Sequence, residues 1–431
     1  MKKYATLKLL AAASALACAL PASAATIVLH DPTNSFAKAP NGAEALFAFQ
    51  KAANFWGKTL TNNVTIDIQI GFADLGTSVL AQAGSTSGEM LVKDVYGALN
   101  ANTNKSALDL IAIGGLRSLN ADGGVQMRVN GYVDPARQFG IDTTVGSRNT
   151  SGTDVINKVL NVNSSVQKAL GLAPAFGTGY DASITFSSKF AFDYNPTNGI
   201  DNGTYDFTAV AIHELGHSLG FVSGADTFDY FGRGKGPGAE LLESGAFGST
   251  RLDDFAIGSV LDLFRYGLSP ATPDGHLQLQ WGANKDAFFS IDGLTPFNFD
   301  NPDQKIADFS TGSFNGRDQQ QASHWADTKL YPDVRNPGCY LPGRDVGVMD
   351  PTGTPCGVGR VTQNDLAAFD AMGWNVNVDA LQNTKYSMTT KDIYQLDGLA
   401  VVTVPEPATW AQMLLGFGLV GGLIRRRSRQ A

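Results

Sequence analysis

Alternating apolar and polar residues predict strands in the first half of the chain. Residues 64–70 alternate strictly between apolar and polar side chains, which is typical of a strand with one buried face. Residues 181–186 repeat this alternation, and residues 26–30 form a short strand-like run. Apolar residues at helical spacing predict a helix over 43–60.

A second helix is predicted after the 181–186 strand. Asp206 can cap it, and Gly220 suits its C-terminal end. Its apolar side consists of Ala211, Ile212, Leu215 and Leu219. Near the C-terminus, the segment from Val361 to Leu366 resembles a capped helix start, and the helix would end at Gly373. Between these helices, residues 221–320 show no strong periodicity beyond a hint at 259–266, so we interpret them as an insertion near the substrate cleft.

Residues 1–24 have the three parts of a secretory signal peptide. Lys2, Lys3 and Lys8 form the positive start, an apolar stretch follows, and Ala22-Ser23-Ala24 is a small-residue cleavage site. We expect Cys18 to be removed with this signal. The protein is therefore expected to be exported.

The C-terminal end carries a second targeting pattern. Val404-Pro405-Glu406-Pro407 precedes an apolar segment, Trp410 to Ile424, and then three arginines. This order resembles the PEP-CTERM sorting signal of Gram-negative bacteria, which implies transient anchoring in the inner membrane and removal of the tail by an exosortase. A plain membrane anchor is the alternative, but about 15 apolar residues span only ~22 Å, short of the ~30 Å hydrocarbon core.

The charge and the cysteine content of the chain indicate which binding partners and which cellular compartment to expect. The formal net charge is −8, and it falls to about −14 without the two ends, because they carry three Lys, four Arg and one Glu. Such an acidic chain repels nucleic acid and anionic lipid. The two remaining cysteines, Cys339 and Cys356, suit one disulfide in an oxidising compartment, while a role as metal ligands is disfavoured by the lack of a third partner.

The most informative motif is His213-Glu214-Leu215-Gly216-His217 on the predicted helix. Residues four apart share a helix face, so His213 and His217 can present both imidazoles to one cation. Glu214 is offset by one residue, where it can act on a bound water. This is the pattern of a zinc peptidase.

Catalytic zinc usually has three protein ligands, so one more ligand is needed. In the compact pattern H-E-x-x-H-x-x-G-x-x-H the last histidine corresponds to Ser223, which is a poor zinc ligand. The remaining candidates are three histidines and two aspartates that follow the helix: His30, His276, His324, Asp226 and Asp229. An aspartate soon after the motif is the third ligand in aspzincins, although their full motif is absent here.

The segment Ser323-His324-Trp325, followed by Val348-Met349-Asp350, resembles leishmanolysin-like metzincins, in which a distant histidine precedes a Met-turn. The resemblance covers His213 to Gly220 and about fifty residues from Ser323. It implies that His213, His217 and His324 bind Zn²⁺, that Glu214 is the base and that Met349 lies under the metal. Replacing Asp226 or Asp229 should then leave zinc binding largely intact.

The expected fold class is α+β, a two-lobed metzincin-like zinc peptidase with a mixed sheet and the active-site helix in the first lobe. The expected boundaries are a signal peptide (1–24), an N-terminal lobe (25–222), an insertion (223–320), a loop-rich C-terminal lobe with the Met-turn (321–376), a linker (377–403) and the sorting tail (404–431). Cys339 and Cys356 would bracket the Met-turn.

The expected function is that of a secreted zinc endopeptidase at the cell surface or in the extracellular matrix, acting on protein or peptide substrates. In this reading, Glu214 takes a proton from the attacking water and passes it to the leaving amine. Two alternatives stay open. One is a non-catalytic zinc-binding matrix protein. The other is a zinc hydrolase of a non-peptide bond, although no carboxylate pair of the kind that hydrolyses sugars is evident.

Overall fold

A computed structural model describes residues 24–173, 179–243, 251–268, 275–341 and 345–403. The helices are α1 (Ser35–Lys38), α2 (Gly42–Thr59), α3 (Val92–Ala101), α4 (Ala107–Gly115), α5 (Val155–Lys158), α6 (Ser164–Ala169), α7 (Phe207–Ser218), α8 (Ala225–Tyr230), α9 (Ala239–Glu243), α10 (Gln363–Ala371) and α11 (Thr390–Tyr394), with 3₁₀ turns at Pro196–Asn198, Leu252–Asp254 and Leu261–Phe264.

The strands are mostly short and form several small sheets. They are β1 (Thr26–His30), β2 (Thr65–Ala73), β3 (Ala81–Ser85), β4 (Ser87–Leu91), β5 (Arg128–Gly131), β6 (Asp142–Asn149), β7 (Val159–Asn163), β8 (Ala182–Ser187), β9 (Phe192–Asp193), β10 (Tyr205–Asp206), β11 (Arg265–Gly267), β12 (Gln278–Leu279), β13 (Phe288–Phe289), β14 (Tyr331–Pro332), β15 (Tyr340–Leu341), β16 (Arg360–Thr362), β17 (Ser387–Thr389) and β18 (Val401–Thr403). The fold is thus a mixture of helices and strands.

The largest sheet carries the order β18-β1-β2-β8-β3. Its strands run parallel except β3, which pairs antiparallel with β8 at the edge. In β2 the alternating isoleucines are buried, as the strict alternation predicts. The strands at 26–30, 64–70 and 181–186 are therefore confirmed to within a residue or two, apart from a C-terminal extension of β2 to Ala73.

Helices α2 and α7 pack side by side against this sheet. The indole of Trp56 in α2 donates a hydrogen bond to the Ile212 carbonyl of α7 at 3.1 Å, and the ring of Trp56 also packs against Phe369 of α10. Because both helices present aromatic and aliphatic side chains to one core, α7 is held rigidly relative to the sheet.

The insertion predicted at 223–320 has secondary structure of its own. It contains α8, α9 and a three-stranded antiparallel sheet with the order β12-β11-β13. Its core includes buried aromatic side chains such as Trp281 and Phe289. The hint of a helix or strand at 259–266 coincides with the 3₁₀ turn Leu261–Phe264 and with β11. The other elements are two to six residues long and give too little periodicity for the sequence pattern to predict them.

Residues 377–403 differ from the expected linker. They contain β17, α11 and β18, and β18 pairs in parallel with β1. Ile393 of α11 is fully buried, and Lys51 of α2 donates to the Leu396 carbonyl. The physical reason is that β1 would otherwise leave an open sheet edge, which the Val-Val-Thr run of β18 covers.

Two predicted segments lie outside the described residues: positions 1–23 of the signal peptide and the whole sorting tail, 404–431. Within the described part of the chain, no helix has both the length and the apolar character needed to cross a membrane.

Candidate metal centre

Helix α7 presents His213 and His217 to a cleft. The side chain of Asp206 accepts a hydrogen bond from the Ala209 amide at 3.0 Å and so caps the helix, as predicted. The apolar positions Ala211, Ile212 and Leu215 are fully buried. After the helix, Gly220 adopts a φ of 115°, which a residue with a side chain rarely adopts, and this allows the chain to turn away.

His324 comes from a loop that follows the insertion. The next residue, Trp325, is completely buried, and its indole donates a hydrogen bond to Asp365 at 2.9 Å. The Trp325 amide donates to the Met349 carbonyl at 3.0 Å. The loop that carries His324 is therefore joined directly to the turn that contains Met349.

Met349 lies against α7, the helix that carries His213 and His217. It is fully buried, and its thioether occupies the space where a side chain on Gly216 would be. The Asp365 carboxylate accepts the Val348 amide at 2.9 Å and the Thr362 amide at 2.7 Å. Asp365 thus connects the Met349 turn to the start of α10.

Three imidazoles converge at one point of the cleft. The Nε2 atoms of His213 and His217 are 3.1 Å apart, those of His213 and His324 are 3.1 Å apart, and those of His217 and His324 are 3.0 Å apart. Within the described residues, these three side chains form the only cluster of histidine, cysteine or acidic residues compact enough to hold a metal ion.

Backbone carbonyls set the orientation of each ring. The Nδ1 of His213 bonds to the Val348 carbonyl at 2.8 Å, that of His217 to the Phe221 carbonyl at 2.7 Å, and that of His324 to the Gln321 carbonyl at 3.2 Å. A carbonyl only accepts, so each Nδ1 carries the proton and each Nε2 presents a lone pair. Such outer contacts are typical of metal-binding histidines.

This donor set suits zinc. Three lone pairs within 3.1 Å of one another repel unless a cation lies between them. Nitrogen ligands at the usual zinc distances of about 2.0–2.1 Å in a tetrahedral site lie about 3.3 Å apart. Three imidazoles with one side left open also match the ligand number of catalytic zinc.

Burial keeps the histidines neutral. Removal from water lowers the pKa of His213 to about 4 and that of His217 to about 3, and it holds the pKa of His324 well below its usual range. Neutral imidazole is the form that binds metal.

Glu214 is the acidic group on this helix that lines the same cleft. It is 6% exposed, and burial raises the pKa of its carboxyl to about 8. A divalent cation nearby favours the carboxylate and opposes this shift.

The cleft has a volume of about 1300 Å³. It is lined by residues of the edge strand β3, of α7 and of the segment between Asp345 and Arg360. Val222 and the first residues of the insertion, namely Ser223, Gly224, Asp226 and Thr227, also line this cleft.

Among the described residues, the other candidate ligands are not part of the histidine cluster, although Asp226 lines the same cleft. His30 bonds to Asp67 at 2.8 Å and contacts Thr403 at the sheet edge, and His276 is not part of the histidine cluster. Both oxygens of Asp226 accept hydrogen bonds from the loop before His324. Asp229 is buried, and its carboxylate accepts the amides of Phe314 and Asn315.

The predicted disulfide between Cys339 and Cys356 is confirmed, with a Cα–Cα distance of 5.3 Å. It links the end of the hairpin β14–β15 to the loop at 351–357, part of which lines the cleft. The Cys356 amide also donates to the Thr204 carbonyl at 2.9 Å. The covalent link therefore restrains the cleft wall that follows Met349.

Sequence reasoning missed two residues that support this centre. Asp365 was recognised only as part of a capped helix start, yet it also binds the Trp325 indole. The connection of Asp226 to Ser323 was likewise missed. The signal available for Asp365 was its place as the third residue after the N-cap of α10, whereas nothing in the local sequence points to the partner of Asp226.

Comparison with known proteins identifies the C-terminal tail. Residues 403–428 match the PEP-CTERM protein-sorting motif. No curated protein matches the chain, and no solved structure matches it. The matched tail is recognised by exosortases, so the protein is a secreted, exosortase-processed surface protein of a Gram-negative bacterium.

Proposed function

We propose that the protein is a secreted zinc-dependent endopeptidase of metzincin type, with His213, His217 and His324 as metal ligands and Glu214 as general base. The observation that carries the proposal is the approach of three Nε2 lone pairs to within 3.1 Å of one another. It is supported by the Nδ1 contacts to backbone carbonyls, which leave each Nε2 available as a ligand.

Zinc in such a site supplies Lewis acidity, which polarises a carbonyl group and lowers the pKa of water toward ~7. Residues of the chain supply proton transfer, positioning and the space for the substrate. Glu214 accepts a proton from the attacking water and delivers it to the leaving amine. Met349 and Gly216 hold the turn against the helix, and the cleft beside β3 accommodates a peptide chain.

Two alternatives are less well supported. An aspartate as third ligand requires a free carboxylate oxygen at the histidines, but both Asp226 and Asp229 accept hydrogen bonds from backbone amides of other loops. A non-catalytic zinc-binding matrix protein does not need an acidic group beside the ligands, whereas Glu214 is buried at the cleft.

The test compares the wild-type mature protein, residues 25–403, with Glu214→Ala and His324→Ala. Metal content is measured by elemental analysis, and turnover is measured on an unfolded protein substrate. We expect Glu214→Ala to keep one zinc per chain and to lose about 10²–10⁴-fold in rate, the usual contribution of a general base. His324→Ala should lose both zinc and activity.

The two variants separate the alternatives. Wild-type protein that binds zinc but cleaves nothing would support the non-catalytic reading. Zinc retained in His324→Ala would exclude His324 as a ligand, and full turnover in Glu214→Ala would exclude the proposed base.

A further inference from the structure

His324 lies on a segment without regular secondary structure, 107 positions after His217. Residues 322–325 form turns and a single bridge rather than a helix or strand. A ligand in such a segment needs support from elsewhere in the fold. The polar groups of its backbone show which residues provide that support.

Asp226 of α8 binds the backbone on the N-terminal side of His324. Its carboxylate accepts the Ala322 amide at 2.6 Å and the Ser323 amide at 3.0 Å. The Ser323 hydroxyl also donates to this carboxylate and accepts the Ser223 amide at 2.9 Å. The two residues before His324 are thus tied to the segment that follows the metal-binding helix.

Arg265 and Ser310 bind the carbonyl groups of the same loop. The Arg265 guanidinium is fully buried, and it donates to the Ala322 carbonyl at 3.2 Å and to the Ser310 carbonyl at 3.0 Å. Ser310 donates its amide to the His324 carbonyl at 3.0 Å and its hydroxyl to the Trp325 carbonyl at 2.6 Å.

Asp262 fixes this arrangement to the end of the metal-binding helix. It is fully buried and accepts the Ser223 hydroxyl at 2.6 Å and the Gly224 amide at 2.7 Å. The positive charge of Arg265 interacts with both Asp226 and Asp262. The four supporting side chains Asp226, Asp262, Arg265 and Ser310 all belong to the segment 223–320.

We infer that the segment 223–320 positions the third metal ligand, and that Asp226 is its central positioning residue. This inference rests on the proposed zinc site. Asp226 does not touch the metal in this arrangement; it acts through the peptide groups of Ala322 and Ser323. A loop ordered before metal binding loses less conformational freedom when the metal binds, so its ligand contributes more affinity.

The inference changes one sequence-based expectation. Asp226 was expected to be dispensable for zinc because it is not a ligand. The contacts now predict that its removal weakens zinc binding indirectly, whereas removal of Asp229 does not. Mutation of an outer partner of a metal ligand typically weakens metal affinity by about 10–100-fold.

The experiment measures the zinc dissociation constant of the exported protein by competition with a chromophoric chelator. Asp226→Ala is compared with Asp229→Ala, which is a matched control because Asp229 lies on the same helix and also accepts two backbone amides, those of Phe314 and Asn315. We expect a 10–100-fold weaker zinc affinity and faster zinc release in Asp226→Ala, and less than about threefold change in Asp229→Ala.

Two further measurements separate positioning from general stability. The cobalt-substituted protein should have an altered visible absorption spectrum in Asp226→Ala and an unaltered one in Asp229→Ala, because only the first variant moves a ligand. Asp226→Asn keeps one acceptor oxygen and should recover part of the affinity. If Asp226→Ala does not fold, Asp226→Asn and Ser323→Ala, which removes the bridging hydroxyl, take its place.

The outcomes distinguish the two proposals. The positioning role would be overturned if Asp226→Ala bound zinc as tightly as the wild type, or if Asp229→Ala lost as much zinc affinity as Asp226→Ala. Either result would leave the proposed zinc site standing. Wild-type protein that binds no zinc would overturn both. A selective loss in Asp226→Ala with a changed cobalt spectrum supports the inference.

Discussion

Gly216 shows how closely α7 and the Met349 turn approach each other. A Cβ atom on Gly216 would overlap the Met349 thioether and also approach the ring of Phe369. Both of these neighbours are fully buried, so neither can move into solvent. The glycine between the two motif histidines is therefore required by packing, although glycine weakens a helix by roughly 0.5–1 kcal/mol relative to alanine.

Gly216→Ala should consequently lower the free energy of unfolding by about 1–3 kcal/mol, as overpacking usually does. The control is Gly97→Ala on α3, where no atom lies within 4 Å of the added Cβ. That exposed substitution should raise the free energy of unfolding by about 0.5–1 kcal/mol. Urea titrations of the two variants measure both changes, and a stabilised Gly216→Ala protein would contradict the close contact.

At the scale of elements, α10 packs against α4 through a buried acidic contact. Asp370 of α10 is 2% exposed, and the Ser106 hydroxyl at the N-cap of α4 donates to it at 2.8 Å. Among the described residues, its other oxygen accepts no hydrogen bond of ordinary geometry, and the nearby Val376 amide lowers the pKa of the carboxyl less than any other neighbour does. Burial and the nearby carboxylate of Asp109 raise the pKa of Asp370 to about 8.

This contact predicts a pH-dependent stability. An aspartate in the unfolded chain has a pKa of about 3.9, so the folded protein holds a proton on Asp370 between pH 4 and 8 that the unfolded chain has released. The contribution of Asp370 is therefore favourable at low pH and declines as the pH rises toward 8. Asp370→Asn removes this dependence, because the amide does not titrate.

We expect Asp370→Asn to unfold at nearly the same denaturant concentration as wild type at pH 5. At pH 8.5 the variant should be more stable by about 1–3 kcal/mol, the range for an unsatisfied buried polar group. Guanidinium titrations at both pH values measure this difference. If the free energy of unfolding changed with pH in the same way in both proteins, the Asp370 carboxyl would already be ionised in the folded protein at pH 5.

At the scale of the whole molecule, the first and the last strand of the described residues pair with each other. Strand β1 begins two residues after the predicted signal-peptide cleavage site, and β18 ends one residue before the sorting tail. The two strands pair in parallel from Val28 with Val401 to His30 with Thr403. Because this pairing is parallel, the N-terminal end of β1 and the C-terminal end of β18 lie at opposite ends of the strand pair.

The sorting motif predicts a truncated mature protein. In a host with the matching exosortase, the exported chain should lack Trp410 to Ala431, because residues 403–428 match the sorting motif that exosortases recognise. Intact-mass analysis of the exported protein measures this. Replacing Pro405, Glu406 and Pro407 with alanine should leave the tail in place, and an exported wild-type protein that still carries its arginines would contradict the prediction.

Local patterns in the sequence determined much of the framework. Strict alternation predicted β2 and β8, and helical spacing with a capping aspartate predicted α7. These elements follow local patterns because each one buries a face that repeats every two or every 3.6 residues. The short strands of the insertion and the elements at 377–403 have no such repeat, so they were missed.

The histidine centre was likewise determined partly by local sequence and partly by tertiary structure. The relation of His213 to His217 is set by one helical turn, so it is readable in five residues of sequence. Tertiary structure alone brings His324 beside them and Asp226 beside Ser323, each about a hundred positions apart in the chain. The entropy of closing such loops grows only logarithmically with length. Distance along the chain therefore excludes few partners, and buried packing and hydrogen bonding decide which residues meet.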